Sequence, residues 1–242
     1  MLFINVNSLP YSILISLLLL ATSCTKEDAL TPEITNPEPT GIYKYLALGD
    51  SYTIGESVLE AESFPYQLKS KLAKDSIFLD GKPRIIAKTG WSCNELATAI
   101  TAANLANNSY DLVTLLVGVN DQYRNENIAL YPERFRRLAT TAIALADTPK
   151  RVIIISIPDY SVTPFGQYPD PKKTASELEA YNAINKTIAA DLQIVYVDIT
   201  AISRKAKSDL TYLAGDQLHP SGKMYGEWVE AMYAEALNAI TK

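Results

Sequence analysis

From about residue 41 onward, short apolar runs of strand character alternate with segments of helical period, and this alternation restricts the fold more than any other feature. The clearest run is Val152-Ile153-Ile154-Ile155, inside a strand expected over 151–158. Four consecutive β-branched side chains are stiff at χ1 and suit a pleated surface better than a helix. The run over 112–118, Leu-Val-Thr-Leu-Leu-Val-Gly, is almost continuously apolar, as a strand covered on both faces must be. Runs at 43–48, 84–90 and 194–199 bring the count to about five strands. Between them, 63–73 places Phe64, Leu68 and Leu72 on one helical face, with Pro65 near its start. Further helices are expected over 94–106, 132–146 (Phe135, Leu138, Ala142 and Leu145 inward), 177–191 and 221–240 (Met224, Trp228, Met232 and Leu237 inward). The pattern predicts an α/β fold of three layers: a doubly wound parallel sheet with helices on both sides. No internal repeat is visible.

With 242 residues and 48% apolar side chains the chain has the material for one large soluble domain. A net charge of −5 with no basic cluster argues against an electrostatic footprint for nucleic acid, so no nucleic-acid partner is expected. Two cysteines, Cys24 and Cys93, and one histidine, His219, exclude both a disulfide framework and a His- or Cys-rich zinc site. Carboxylate-only binding of calcium or magnesium remains open.

Residues 1–23 carry no charged side chain, and their apolar centre at 13–20 is too short to span a bilayer, so they read as a secretion leader. The proline-rich, polar stretch at 29–40 reads as a linker. The leader ends in Leu20-Ala21-Thr22-Ser23-Cys24, which resembles a bacterial lipobox, and Thr25-Lys26-Glu27-Asp28 is similar to the tether of surface-exported lipoproteins. These resemblances imply a signal peptide at 1–23, lipid attachment at Cys24, a tether over 24–40 and a folded domain over 41–242. The product would cross the inner membrane and sit at the outer membrane or cell surface, touching lipid only through its anchor. The alternative is a periplasmic protein with an ordinary cleaved leader and an incidental cysteine.

Chemistry-bearing residues fall at the ends of separately expected strands: Ser51 after Gly49-Asp50, Gly90, Asn120, and Asp216 with His219 before the last helix. In a parallel sheet the C-terminal strand ends share one rim, so groups far apart in sequence converge there. A serine hydroxyl needs a base to become a nucleophile, and His219 is the one imidazole available. Asp216, three residues earlier, is placed to accept the imidazole Nδ1 proton and leave Nε2 facing the serine. Taken singly, each piece has a plainer reading. Gly-Asp-Ser is a common turn, Gly118 and Asn120 suit a loop, Gly90 a strand terminator, Asp216 a helix N-terminus and a histidine before proline a turn.

Taken jointly and in order, the residues resemble the SGNH/GDSL hydrolase family. Gly49-Asp50-Ser51 matches its first block, Gly90 its second, Gly118-Val119-Asn120-Asp121 its third and Asp216-Gln217-Leu218-His219-Pro220 its last, so the resemblance covers 43–242. It implies a flavodoxin-like fold, a Ser51-His219-Asp216 triad, and an oxyanion hole from Ser51 N–H, Gly90 N–H and the Asn120 side-chain amide. It also implies hydrolysis of carboxylic esters with no metal or organic cofactor. Asp121 becomes a loop organiser, Asp50 is left as turn geometry, and Cys93 is a packed side chain at a helix start. Tyr52, Trp91, Tyr123, Tyr160 and Tyr168 fall in or beside the rim loops, where flat amphipathic rings suit sugars or simply pack. The expected substrate is a short acyl group, acetyl first, on a carbohydrate or small alcohol. A lysophospholipase or thioesterase is one alternative, and a surface lipoprotein that binds glycans without catalysis is another. The loop over 159–173 is long enough to be functional, as a lid for instance.

Overall fold

The computed structural model describes residues 42–105 and 109–242. The expected leader, Cys24 and the whole tether over 24–40 are therefore outside the described residues. The elements in chain order are β1 (Ile42–Tyr43), β2 (Tyr45–Gly49), α1 (Ser51–Ile54), α2 (Phe64–Lys74), β3 (Phe78–Leu79) and β4 (Arg84–Ala87). Then come α3 (Cys93–Ala102), β5 (Leu112–Leu116), α4 (Val119–Tyr123), α5 (Tyr131–Ala146) and β6 (Val152–Ile155). The chain closes with α6 (Pro171–Asp191), β7 (Val195–Val197), α7 (Thr200–Ser203) and α8 (Gly222–Thr241).

Strands β4-β2-β5-β6-β7, in that order, form one parallel sheet, with Leu48 facing Ile86 on one side and Leu115 on the other, and Ile154 facing Tyr196. Every residue of β2, β5 and β6 is buried, because helices cover both faces. Helix α2 packs on α8, while α5 packs on both α3 and α6. Trp228, Tyr225 and Phe64 fill the α2–α8 side with tilted and edge-on ring contacts; Tyr131 and Phe135 do the same beneath α5. The chain starts its sheet at β2, adds β4 on one flank and then crosses to β5 on the other. Open α/β sheets bind ligands in the crevice at such a switch point, outside the carboxyl ends of the strands.

The expected strands and long helices are all present, with shifted boundaries. Helix α6 starts at Pro171, six residues before the expected 177, because the Asp170 carboxylate caps the amides of Lys172 and Lys173 and Pro171 suits the first helical position. The loop expected over 159–173 is correspondingly shorter and is organised by two 3₁₀ turns. Strand β4 stops at Ala87, so Gly90 lies in the following loop and not at the strand's end. Leu145 and Leu237, expected inward, are half-buried. A two-stranded parallel pair, β1 with β3, was not foreseen; two residues per strand leave no period to detect.

Candidate active site

Strand β2 ends at Gly49, where a Cβ would lie 2.1 Å from Thr53 Oγ1 and 2.4 Å from the Leu116 carbonyl oxygen. A side chain has no room here, so glycine lets Thr53 and the end of β5 approach the backbone closely, and the chain goes on to Ser51 as the first residue of α1. Asp50 caps that helix: its Oδ1 accepts the Tyr52 amide at 3.0 Å. Its Oδ2, fully buried, has no hydrogen-bond partner among the described residues. Burial pushes the Asp50 carboxyl up to about 8, with the Tyr52 amide opposing and the charge of Asp121 adding to the rise.

At the far end of the chain, Asp216 and His219 sit in a loop closed by the Leu213–Pro220 bridge and by the Ala214 amide donating to the His219 carbonyl at 2.8 Å. His219 Nδ1 lies 2.6 Å from Asp216 Oδ2, and Asp216 Oδ1 accepts the amides of Leu218 and His219, each at 3.0 Å. A fourth donor was not foreseen: the Ser57 hydroxyl reaches Asp216 Oδ2 at 2.7 Å, from a residue at φ +65°. Burial raises the Asp216 carboxyl, but these hydrogen bonds outweigh it and hold the group well below the usual carboxylate range. Asp216 is thus not a helix cap; Ser221 caps α8, accepting the Met224 amide. The His219 ring rests edge-on against Tyr52, centroids 5.5 Å apart, and Tyr52 is tied to α8 by the Tyr225 hydroxyl donating to its carbonyl at 2.9 Å.

The third strand end, after β5, carries Asn120 and Asp121 on the short helix α4. Asn120 Nδ2 donates to the Trp91 carbonyl at 2.9 Å, which uses one amide hydrogen and leaves the other. Buried Asp121 accepts the Cys93 amide at 2.9 Å, so it joins the α4 segment to the start of α3 as a loop organiser. Cys93 is buried, and burial, then Asp121, push its thiol well up, which suits the expected packed side chain. Gly90 adopts φ +86°, the left-handed region that favours glycine.

Ser51, Gly90, Asn120 and His219 line one cavity of about 150 Å³, open to solvent, whose other walls are Tyr52, Thr89, Val119, Tyr123, Tyr160, Phe165 and Leu218. The cavity gathers Ser51, Gly90 and Asn120 from the segments that follow β2, β4 and β5, and His219 from the loop before α8. Asp216 stands behind His219 and does not line the cavity. Ser51 and His219 make no hydrogen bond to each other among the described residues. Of the five rim aromatics anticipated, Tyr52, Tyr123 and Tyr160 line the cavity, whereas Trp91 is half-buried against the core and Tyr168 is 84% exposed elsewhere on its loop. Phe165 takes the place expected of them, packing on Tyr123 and Tyr160 with centroids 6.1 and 6.5 Å away. Among the described residues, no group of three or more His, Cys, Asp or Glu is arranged to hold a metal ion.

Comparison with known proteins places this arrangement in context. The GDSL-like Lipase/Acylhydrolase family model matches residues 47–226. No match is found among curated protein sequences. Among solved structures, TesA is similar with a TM-score of 0.64 at 16% identity, covering 81% of this chain and 99% of that one. Axe2, an acetylxylan esterase from Geobacillus stearothermophilus, gives 0.57 at 19% identity, covering 83% and 94%. The psychrotrophic esterase EstA from Pseudoalteromonas sp. gives 0.61 at 16%, covering 83% and 100%. At these identities the structural likeness speaks to the fold.

Proposed function

This chain belongs to the GDSL-like lipase/acylhydrolase family and is a carboxylic ester hydrolase, and from that premise we propose that Ser51 is its nucleophile, His219 its base and Asp216 the orienter of that base. The observation that carries the assignment is the 2.6 Å contact of His219 Nδ1 with Asp216 Oδ2 behind a cavity that holds both Ser51 and His219. With Nδ1–H donated to the carboxylate, Nε2 is the ring nitrogen left to take the Ser51 proton. Ser51 Oγ adds to the ester carbonyl, and the oxygen that gains charge is met by Ser51 N–H, Gly90 N–H and the second hydrogen of Asn120 Nδ2. The Ser51 amide, first in its helix, has no acceptor within that helix. Collapse expels the alcohol, which takes its proton from His219. Water, activated by the same imidazole, then releases the acid from the acyl-enzyme.

The substrate in this reading is an ester of a short acyl group, acetyl first, with a carbohydrate or small alcohol as the other half. A cavity of about 150 Å³ supports a short acyl chain, since pockets for drug-sized ligands begin near roughly 300 Å³. The rings of Tyr123 and Phe165, both about half exposed at the mouth, offer faces to a sugar. We place the enzyme outside the cytoplasm, exported by residues 1–23 and lipid-anchored through Cys24, with 24–40 as tether and 41–242 as the catalytic domain. Intact mass of the membrane-extracted protein tests the anchor: a diacylglyceryl-modified Cys24 is expected, and an unmodified soluble product contradicts it.

The assay that tests the activity compares p-nitrophenyl acetate with longer acyl esters, using wild type and Ser51→Ala. Fastest release from acetyl, lost in Ser51→Ala, is the expected result. Full activity in Ser51→Ala overturns the mechanism, a long-chain optimum moves the substrate to lipids, and inactivity of the wild type on every ester removes the catalytic reading.

A further inference from the structure

The loop that carries Gly90 packs on the core through half-buried Trp91 and turns on the Trp91 amide, which donates to the Lys88 carbonyl at 3.1 Å. Side chains from elsewhere in the chain tie it further: the Thr89 hydroxyl donates to Glu56, the Gly90 carbonyl accepts from Arg124 Nη2, and the Trp91 carbonyl accepts from Asn120 Nδ2. Arg124 has a second prong, with Nη1 2.9 Å from Glu95 Oε2, and that same oxygen accepts the Ser92 amide at 2.8 Å. One guanidinium therefore bridges the carbonyl of Gly90 and the carboxylate that caps α3, closing the loop from both of its ends. Arg124 follows Asn120 by four residues, and its amide donates to the Asn120 carbonyl at 3.1 Å, so α4 supplies one tie to Trp91 and its C-terminal cap the tie to Gly90.

We propose that Arg124 is a positioning residue for the oxyanion site, its guanidinium fork fixing Gly90 so that the Gly90 N–H stays aimed into the cavity. The proposal rests on the ester-hydrolase reading of the site. Oxyanion stabilisation depends on donors that are in place before charge develops, so a loosened Gly90 lowers turnover more than it lowers substrate affinity. A planar fork makes two bonds at once, whereas a lysine at the same position keeps the charge but reaches only one partner.

The test measures kcat and KM on p-nitrophenyl acetate for wild type, Arg124→Ala and Arg124→Lys, with amide hydrogen exchange on the peptide containing residues 88–93. Arg124→Ala is expected to lose about tenfold or more in kcat, up to the about 10²–10³ lost when one oxyanion donor is removed outright, while KM moves by no more than about twofold. Arg124→Lys is expected to recover part of the loss, and guanidine added to Arg124→Ala to recover some of it. Exchange over 88–93 accelerates in Arg124→Ala while the β5 and β6 peptides stay protected. Wild-type kcat in Arg124→Ala overturns the proposal, as does a kcat loss with unchanged exchange over 88–93. An ester-inactive wild type refutes the catalytic reading instead, and the exchange data still report whether the clamp holds the loop.

Discussion

Asp50 is the residue whose replacement gives the sharpest physical prediction. Its carboxyl is fully buried beneath the turn that presents Ser51, one oxygen has no partner among the described residues, and its pKa stands at about 8 against an ordinary 3.8. The folded protein therefore holds a proton there that the unfolded chain releases near pH 4. Where the folded state binds the extra proton, stability is greatest below the unfolded pKa and falls as pH rises, until the folded pKa is passed. The slope is about 1.4 kcal/mol per pH unit, so raising pH from 5 to 7.5 removes about 3 kcal/mol. For a domain of this size that corresponds to roughly 10 °C in Tm. Asp50→Asn keeps the oxygen that caps the Tyr52 amide and removes the titration. Carboxylates held low, such as Asp209 at about 2, lose their contribution only at more acid pH and do not enter this window. Thermal unfolding followed by circular dichroism between pH 5 and 7.5 is the assay, read as variant minus wild type. The difference should grow in favour of Asp50→Asn with each step upward in pH; parallel curves would refute a neutral, buried Asp50.

Other substitutions probe the remaining parts. Ser57→Ala removes one of four hydrogen bonds to the Asp216 carboxylate and should lower kcat a few-fold, by about 1 kcal/mol, with little change in Tm; an unchanged kcat would make Ser57 incidental. Phe165→Ala removes one of the two rings offered to a sugar at the cavity mouth, so activity on an acetylated oligosaccharide should fall several-fold relative to p-nitrophenyl acetate, and an unchanged ratio would place the sugar elsewhere. Leu68→Ala empties a fully buried site on α2 and should cost about 2–5 kcal/mol in denaturant unfolding without altering KM.

The sheet was legible because its central strands are buried on both faces and so carry uninterrupted apolar runs; Val152–Ile155 needed no context to be read. Element ends were less so, since caps decide them. Asp170-Pro171 did hold the signal for the early start of α6, but a proline-rich loop masked it. The site candidates were readable because short motifs mark them in order along the chain, and His219, the one histidine, had no competitor. What supports them was not. Ser57 meets Asp216 across 159 positions, and Arg124 meets Gly90 across 34, in contacts that no local period announces. The four-residue interval between Asn120 and Arg124 hinted at a shared role only after α4 was seen to be helical. Phe165 was hidden among the other aromatics of its loop, where the tyrosines are the more obvious partners for a sugar.

The central claim, that Ser51 is activated by His219, is tested most directly by covalent labelling with a fluorophosphonate followed by peptide mass spectrometry. One phosphonyl group per chain, on the peptide that contains Ser51, is predicted for the wild type. The same adduct should vanish in Ser51→Ala and form at least about 100-fold more slowly in His219→Ala, the loss expected when the general base is removed. Labelling at another residue, or undiminished labelling of Ser51 without His219, would contradict the account.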